Sequence, residues 1–88
     1  MLILKLERDA DKFLARVHPK HGKQIAQKIQ LLRINPKPQD SKQLRGFPYL
    51  RTDSGEYRII YDFTEDTLRI LLIGKRNDDE VYKLLKRQ

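Results

Sequence analysis

Hydrophobic positions in the first half of the chain predict a strand followed by two helices. Residues 1–6 are an apolar run broken by Lys5, typical of a strand buried on at least one face. From residue 8 the apolar positions recur at helical spacing, which predicts a helix over residues 8–17. Its inner face would be Ala10, Phe13, Leu14 and Val17.

A helix break is predicted at His18-Pro19-Lys20-His21-Gly22, because the residue before proline disfavours helical geometry and glycine is permissive. The next helical repeat, Ile25, Ile29 and Leu32, ends at Asn35-Pro36. The two helices are predicted to form a hairpin. Residues 36–42 lack periodicity, which predicts an exposed loop.

In the second half the period changes to two and predicts three strands, over residues 49–52, 57–63 and 68–74. Turn-forming residues separate them. The third strand is the most apolar and is predicted to be central and buried. Asn77 or Asp78 can cap a last helix from about residue 79 to residue 86.

This order, β-α-α-β-β-β-α, defines an α+β fold with a small antiparallel sheet and a helical hairpin packed on it. A chain of 88 residues has the size of one domain, so residues 1–88 are interpreted as a single domain. With 35% charged and 39% hydrophobic residues it is too apolar for a disordered chain. No apolar run reaches the roughly 20 residues of a membrane helix, and no signal peptide is recognisable, so we expect a cytoplasmic protein without a membrane partner.

The absence of cysteine excludes disulfides, thiolate metal sites and cysteine nucleophiles. The formal charge of +7 and the high isoelectric point favour an anionic partner, such as nucleic acid, an acidic protein or an anionic membrane surface. Lysine and arginine number ten against four acids in residues 1–44, and nine against eight in residues 45–88. The first half therefore carries most of the net charge, while the second half carries arginines at specific places.

Four sequence motifs carry a resemblance to a known family. They are LRGFP at residues 44–48, GEYRIIYDF at 55–63, LRILLIGKRND at 68–78 and EVYKLL at 80–85. In this order and at these separations, the chain resembles the RelE/ParE superfamily of bacterial toxins over essentially its whole length. The Gly-x-Tyr-Arg motif ending at Arg58, then Gly74-Lys75-Arg76 and Val81-Tyr82, is similar to the RelE ribonuclease branch.

The resemblance implies a RelE-like fold and the toxin of a type II toxin-antitoxin system. Such a toxin enters the ribosomal A site and cleaves messenger RNA there by attack of the ribose 2′-hydroxyl on the adjacent phosphate, with no metal or other cofactor. Its implied partners are messenger RNA, the ribosome and a cognate antitoxin. By the same match, Arg58 would steady the phosphate, Arg76 would donate a proton to the leaving 5′-oxygen, and Tyr82 would orient or stack on the substrate.

These residue types suit that chemistry, because a planar guanidinium donates in a fork to phosphate and an aromatic ring can stack on an unpaired base. The implied substrate-binding residues are Arg45, Tyr49, Arg51 and Lys75. RelE itself carries two lysines at alternate positions of the strand before the Gly-x-Tyr-Arg turn, where this chain has Tyr49 and Arg51. Since arginine stays protonated, the general base remains open among Tyr49, Lys75 and Tyr82, or catalysis rests on orientation and charge stabilisation alone.

Structural roles are the alternative for several of these residues. Arg58 and Arg69 could pair with acids of the sheet surface, and for Arg69 we prefer that role, with Asp62, Glu65 or Asp66 as partner. Tyr82 could bury its ring under the last helix. His18 and His21 are interpreted as loop residues and not as metal ligands. Two other functions stay open, a ParE-like inhibitor that binds DNA gyrase without catalysis, and an RNA-binding or ribosome-binding module.

Overall fold

Three helices and one five-stranded sheet make up the described part of the chain, residues 1–77 and 80–87 of the computed structural model. The strands are β1 (Ile3–Leu6), β2 (Lys42–Gln43), β3 (Leu50–Ser54), β4 (Tyr57–Phe63) and β5 (Thr67–Lys75). The helices are α1 (Arg8–Arg16), α2 (Pro19–Ile34) and α3 (Glu80–Leu85). The sheet order is β1-β5-β4-β3-β2, and β1 is parallel to β5 while the other pairs are antiparallel.

Alternation along β4 gives the sheet two buried faces. Tyr57, Ile59 and Tyr61 join the core under α1 and α2, and this side is the hairpin face. Ile60 joins a second core under α3, and this side is the α3 face. Because β5 is covered on both sides, its sequence is a nearly continuous apolar run.

The hairpin-face core takes residues from both long helices. Ala10 of α1 and Ile25, Ile29 and Leu32 of α2 are buried there against β4 and β5. The α3-face core is smaller. Its members are Leu44, Ile60, Leu71, Leu72, Val81 and Leu85, with Phe47, Tyr49, Tyr82 and Leu84 partly buried around them.

Hydrogen bonds fix the loop that follows α2. Tyr61, which has no exposed surface, donates its hydroxyl to the Pro36 carbonyl at 2.7 Å. Asp40 accepts from Lys28 Nζ and from Thr52 Oγ1, both at 2.8 Å. The hydrogen bond from Lys28 lowers the pKa of Asp40, so its carboxylate stays ionised at lower pH than an ordinary aspartate does. The loop is thereby held to both α2 and β3.

The α+β class, the helix pair and the antiparallel meander of β3, β4 and β5 are confirmed. The sheet is mixed, because β1 pairs parallel to β5, and β4 is the middle strand of the five while β5 lies beside it. The predicted loop over residues 36–42 ends in strand β2, which begins at Lys42. Two residues are too short to show a period of two.

The predicted break at residues 18–22 is wrong in extent, since α2 begins at Pro19. Proline suits the first helical turn, because its missing N–H needs no partner there. His18 caps the helix by accepting from the Lys20 backbone N–H at 3.1 Å. For α3, the predicted cap at Asp78 and first residue at position 79 lie outside the described residues. No helix within residues 1–77 and 80–87 combines the length and apolar content of a membrane span.

Close packing of α3 on β5 predicts the effect of one substitution. A Cβ atom added at Gly74 would lie 3.1 Å from Val81 Cγ1, a tight contact. We expect Gly74→Ala to lower the free energy of unfolding by about 1–3 kcal/mol, as overpacked cores do. Urea denaturation would measure this change.

The double variant Gly74→Ala/Val81→Ala provides the control. Since Val81→Ala removes the contacted methyl group, the two changes should be less destabilising together than the sum of the single effects. Additive effects would show that α3 does not meet Gly74 in this way.

Candidate functional site

Arg58 and Arg76 converge on one carboxylate, that of Asp53. Arg58 Nε lies 3.0 Å from Asp53 Oδ1, and Arg76 Nη1 lies 3.7 Å from Asp53 Oδ2. The Arg58 side chain is 16% exposed and that of Arg76 is 46% exposed. We call these three residues the Asp53 cluster. It forms a partly open cationic site on the α3 face.

Two backbone features bring the cluster together. Asp53 and Arg58 are direct partners across β3 and β4, so their side chains project from the same face. Arg76 follows the end of β5, and its backbone N–H donates to the Glu56 carbonyl in the β3–β4 turn at 3.0 Å. Gly55 opens that turn with a φ of 58°, which glycine adopts without strain.

Two more cations lie beside the cluster on the same face. Arg51 is on β3, two residues before Asp53, and its partner across β2 and β3 is Lys42. Like charges directly opposite each other destabilise a sheet unless an anion neutralises them. Lys42 was missed from the sequence, because its position opposite Arg51 depends on the strand register.

Tyr82 and Arg45 lie together at a second surface region of the protein. Tyr82 is half-buried against the α3-face core, so part of its ring packs in the fold, as the structural alternative for this residue predicts. It also lines an open groove of about 520 Å³ with Arg45, Lys83 and Lys86. Three cations around a partly exposed aromatic ring form a surface suited to a nucleotide.

Lys75 and Tyr49 lie apart from the Asp53 cluster. Lys75 is the cross-strand partner of Tyr57, which places its side chain toward the hairpin face. It lines a hollow there with Arg16 and His18. Tyr49 lines a cavity of about 340 Å³ beside Arg69.

The predicted pairing of Arg69 with Asp62 is confirmed, and Arg58 is likewise paired with an acid of the sheet surface, Asp53. Its Nε donates to Asp62 Oδ1 at 2.9 Å, its Nη2 donates to Asp62 Oδ2, and Glu7 lies 3.9 Å from Nη1. The hydrogen bonds to Asp62 raise the pKa of Arg69, so it remains a cation throughout the usual pH range.

The two histidines have partners within the fold. His18 caps α2, whereas His21 lies within α2, so its interpretation as a loop residue is wrong. The Nδ1 of His21 is 2.8 Å from the Tyr57 hydroxyl. Neither belongs to a cluster of three or more potential metal ligands within residues 1–77 and 80–87.

Several solved structures share this fold. The isolated RelE toxin of E. coli matches with a TM-score of 0.75 at 24% identity, over 99% of this chain and 98% of that chain. A chain of the archaeal RelE-RelB complex from Pyrococcus horikoshii OT3 matches with a TM-score of 0.73 at 23% identity, over 85% and 94%. YafQ from E. coli strain BL21(DE3) matches with a TM-score of 0.61 at 17% identity, over 89% and 97%.

The fold is therefore that of RelE-type toxins. The profile of the family described as "ParE toxin of type II toxin-antitoxin system, parDE" matches residues 4–80. The chain belongs to this family of type II toxins, within the RelE/ParE superfamily. No curated protein matches the sequence.

Proposed function

We propose that this toxin is a ribosome-dependent endoribonuclease that cleaves messenger RNA in the A site without a metal. The observation that carries the proposal is the convergence of Arg58 and Arg76 on a single anionic group, the Asp53 carboxylate. Carboxylate and phosphate oxygens are both acceptors for guanidinium donors. A site that gathers two arginines around one anion therefore has the chemistry to hold a phosphodiester.

In this proposal the arginines divide the work on one phosphate. The 2′-hydroxyl gives its proton to solvent as its oxygen attacks phosphorus, and the bond to the 5′-oxygen breaks as that oxygen takes a proton from Arg76, which solvent then restores. The products are a 2′,3′-cyclic phosphate and a 5′-hydroxyl. Arg58 stabilises the negative charge that builds on the phosphoryl oxygens. Arg76, the more exposed of the two, lies at the leaving 5′-oxygen and donates to it.

The surrounding cations would bind the rest of the messenger. Arg51 and Lys42, facing each other across β2 and β3, suit a neighbouring phosphate. Tyr82 and Arg45 line the groove beside α3, where an unstacked base and its backbone would fit.

A general base is not needed in this account. Of the three candidate bases, Lys75 projects toward the hairpin face, and Tyr49 lies beside Arg69. Tyr82 lines the groove beside α3, so none of the three is part of the Asp53 cluster. Orientation of the 2′-hydroxyl by the ribosome-bound messenger and charge stabilisation by arginine would supply the rate enhancement.

A cognate antitoxin is the second proposed partner. Solved structures include RelE-RelB antitoxin-toxin complexes from E. coli and Methanococcus jannaschii. For this chain we propose an acidic antitoxin segment that orders on the cationic α3 face and covers the site. Since messenger RNA and ribosomes are cytoplasmic, the proposed place of action is the cytoplasm.

Inhibition of DNA gyrase is the alternative function. It is favoured by the match to the ParE family profile over residues 4–80. A gyrase inhibitor needs a binding surface and no phosphate site, so the convergence of Arg58 and Arg76 favours the nuclease.

Induction in a bacterial host separates these functions. We expect new messenger 5′ ends inside translated codons within minutes of inducing the parent chain, together with growth arrest. The variant Arg58→Ala/Arg76→Ala should give neither. Growth arrest by the parent without early cuts, accompanied by loss of gyrase supercoiling activity, would support the alternative.

A further inference from the structure

Asp53 uses its two carboxylate oxygens separately, one for each arginine of the cluster. Oδ1 accepts from Arg58 Nε, and Oδ2 lies near Arg76 Nη1. The side chain of Asp53 is 32% exposed, so the carboxylate lies at the surface of the site and not beneath it. No sequence motif singles out Asp53.

The contact with Arg58 leaves the other donors of that guanidinium available. The hydrogen bond runs through Nε, and within the described residues neither terminal amino group of Arg58 has a hydrogen bond of its own. A guanidinium held at Nε is fixed in its plane, while its terminal amino groups point away to receive a ligand. Arg58 is therefore oriented by Asp53 so that its terminal amino groups can donate to a ligand.

The charge of Asp53 also brings the arginines together. Two neighbouring guanidiniums repel each other. The carboxylate between them lowers the summed charge from +2 for the two arginines to +1 for the Asp53 cluster. A phosphodiester carries one negative charge, so the site with its ligand would be neutral.

We propose that Asp53 is a positioning residue, which holds Arg58 and Arg76 in the orientation that binds one phosphodiester of RNA. This inference rests on the proposed nuclease function. The Asp53 carboxylate could have two other roles. It could occupy the phosphate site and block it, or it could act as a general base.

The test compares purified Asp53→Asn with the parent on ribosomes programmed with a messenger, over a range of pH. Asparagine keeps the shape and removes the charge. We expect the cleavage rate constant at saturation to fall by on the order of 10- to 100-fold, the cost of misplaced catalytic groups. KM should be unchanged or lower because the site gains positive charge, and the shape of the pH profile should not change.

The matched control is Asp62→Asn, which removes one negative charge from the same sheet face. Asp62 pairs with Arg69, outside the Asp53 cluster. We expect its cleavage rate constant to stay within about twofold of the parent. Equal effects of the two substitutions would overturn the proposal.

Two kinetic results would assign the other roles and overturn positioning. Faster cleavage by Asp53→Asn with a lower KM would show that the carboxylate blocks the site. Loss of the acidic limb of the pH profile would show that it acts as a base.

A binding measurement keeps the inference testable if the parent chain cuts no messenger, which would refute the nuclease function alone. Inorganic phosphate is titrated while the Nε–H NMR signals of Arg58 and Arg76 are followed. In the parent, both signals should follow one binding curve, and in Asp53→Asn they should follow separate curves. One shared curve in both proteins, or no response in the parent, would overturn the positioning role.

Discussion

Replacing Arg58 with alanine is expected to lower the rate of messenger cleavage by about 100- to 1,000-fold, the usual cost of removing one donor that stabilises transition-state charge. Arg58 is the less exposed arginine of the Asp53 cluster, so its donors act where water screens them less. Arg58→Lys should recover only part of the rate, because lysine keeps the charge but lacks the planar fork. Single-turnover cleavage on programmed ribosomes measures both variants.

Arg69→Ala is the matched control for this prediction. Arg69 has the same residue type, lies on the same sheet face and is also paired with an aspartate, Asp62. Because Arg69 is held by Asp62 outside the Asp53 cluster, we expect cleavage within a few-fold of the parent. A loss equal to that of Arg58→Ala would show that removing any arginine from this face lowers cleavage, and the specific assignment of Arg58 would be wrong.

The largest expected effect on stability is at Tyr61. Its ring is fully buried in the hairpin-face core, so Tyr61→Ala should lower the free energy of unfolding by about 3–5 kcal/mol. Tyr61→Phe keeps the ring and removes the hydrogen bond to the Pro36 carbonyl, which should cost about 1–2 kcal/mol. Urea denaturation at neutral pH measures both variants.

Tyr61 also predicts a pH dependence. Burial raises the pKa of its phenol above the ordinary value of 10.0, because the phenolate is poorly solvated there. The unfolded chain then loses the proton first, so this contribution to stability is present below about pH 10 and is lost as the pH rises through the folded pKa. Tyr61→Phe should lack this alkaline loss.

Tyr82→Phe is the control for Tyr61, since its half-buried ring lies at the edge of the α3-face core. We expect a change within about 0.5 kcal/mol and an alkaline loss like that of the parent. An unchanged alkaline loss in Tyr61→Phe would contradict the burial of this phenol.

The sequence could predict the elements because their periods are long enough to recognise. The helical repeat of Ile25, Ile29 and Leu32 and the alternation in β4 each extend over several residues. Strand β2 could not be predicted in this way, because two residues carry no period. The start of α2 was misplaced because Pro19 was interpreted as a break, whereas proline also begins helices.

The candidate site was predicted through motifs and not through geometry. Arg58 and Arg76 were named from their motifs, but the carboxylate between them depends on the register that places Asp53 opposite Arg58. A shift of one residue would move Asp53 to the other face. For the same reason, the sequence placed Lys75 with the site arginines, whereas strand pairing directs it toward the hairpin face.

The most direct test of the nuclease function is cleavage by the purified toxin with and without ribosomes. A defined messenger is supplied either free or bound with its codon in the A site, and the parent is compared with Arg58→Ala/Arg76→Ala. We predict cutting of the ribosome-bound messenger by the parent only, with fragments that carry 2′,3′-cyclic phosphate and 5′-hydroxyl ends. Equal cutting by the double variant, or no cutting by a parent chain that arrests growth, would contradict the proposed function.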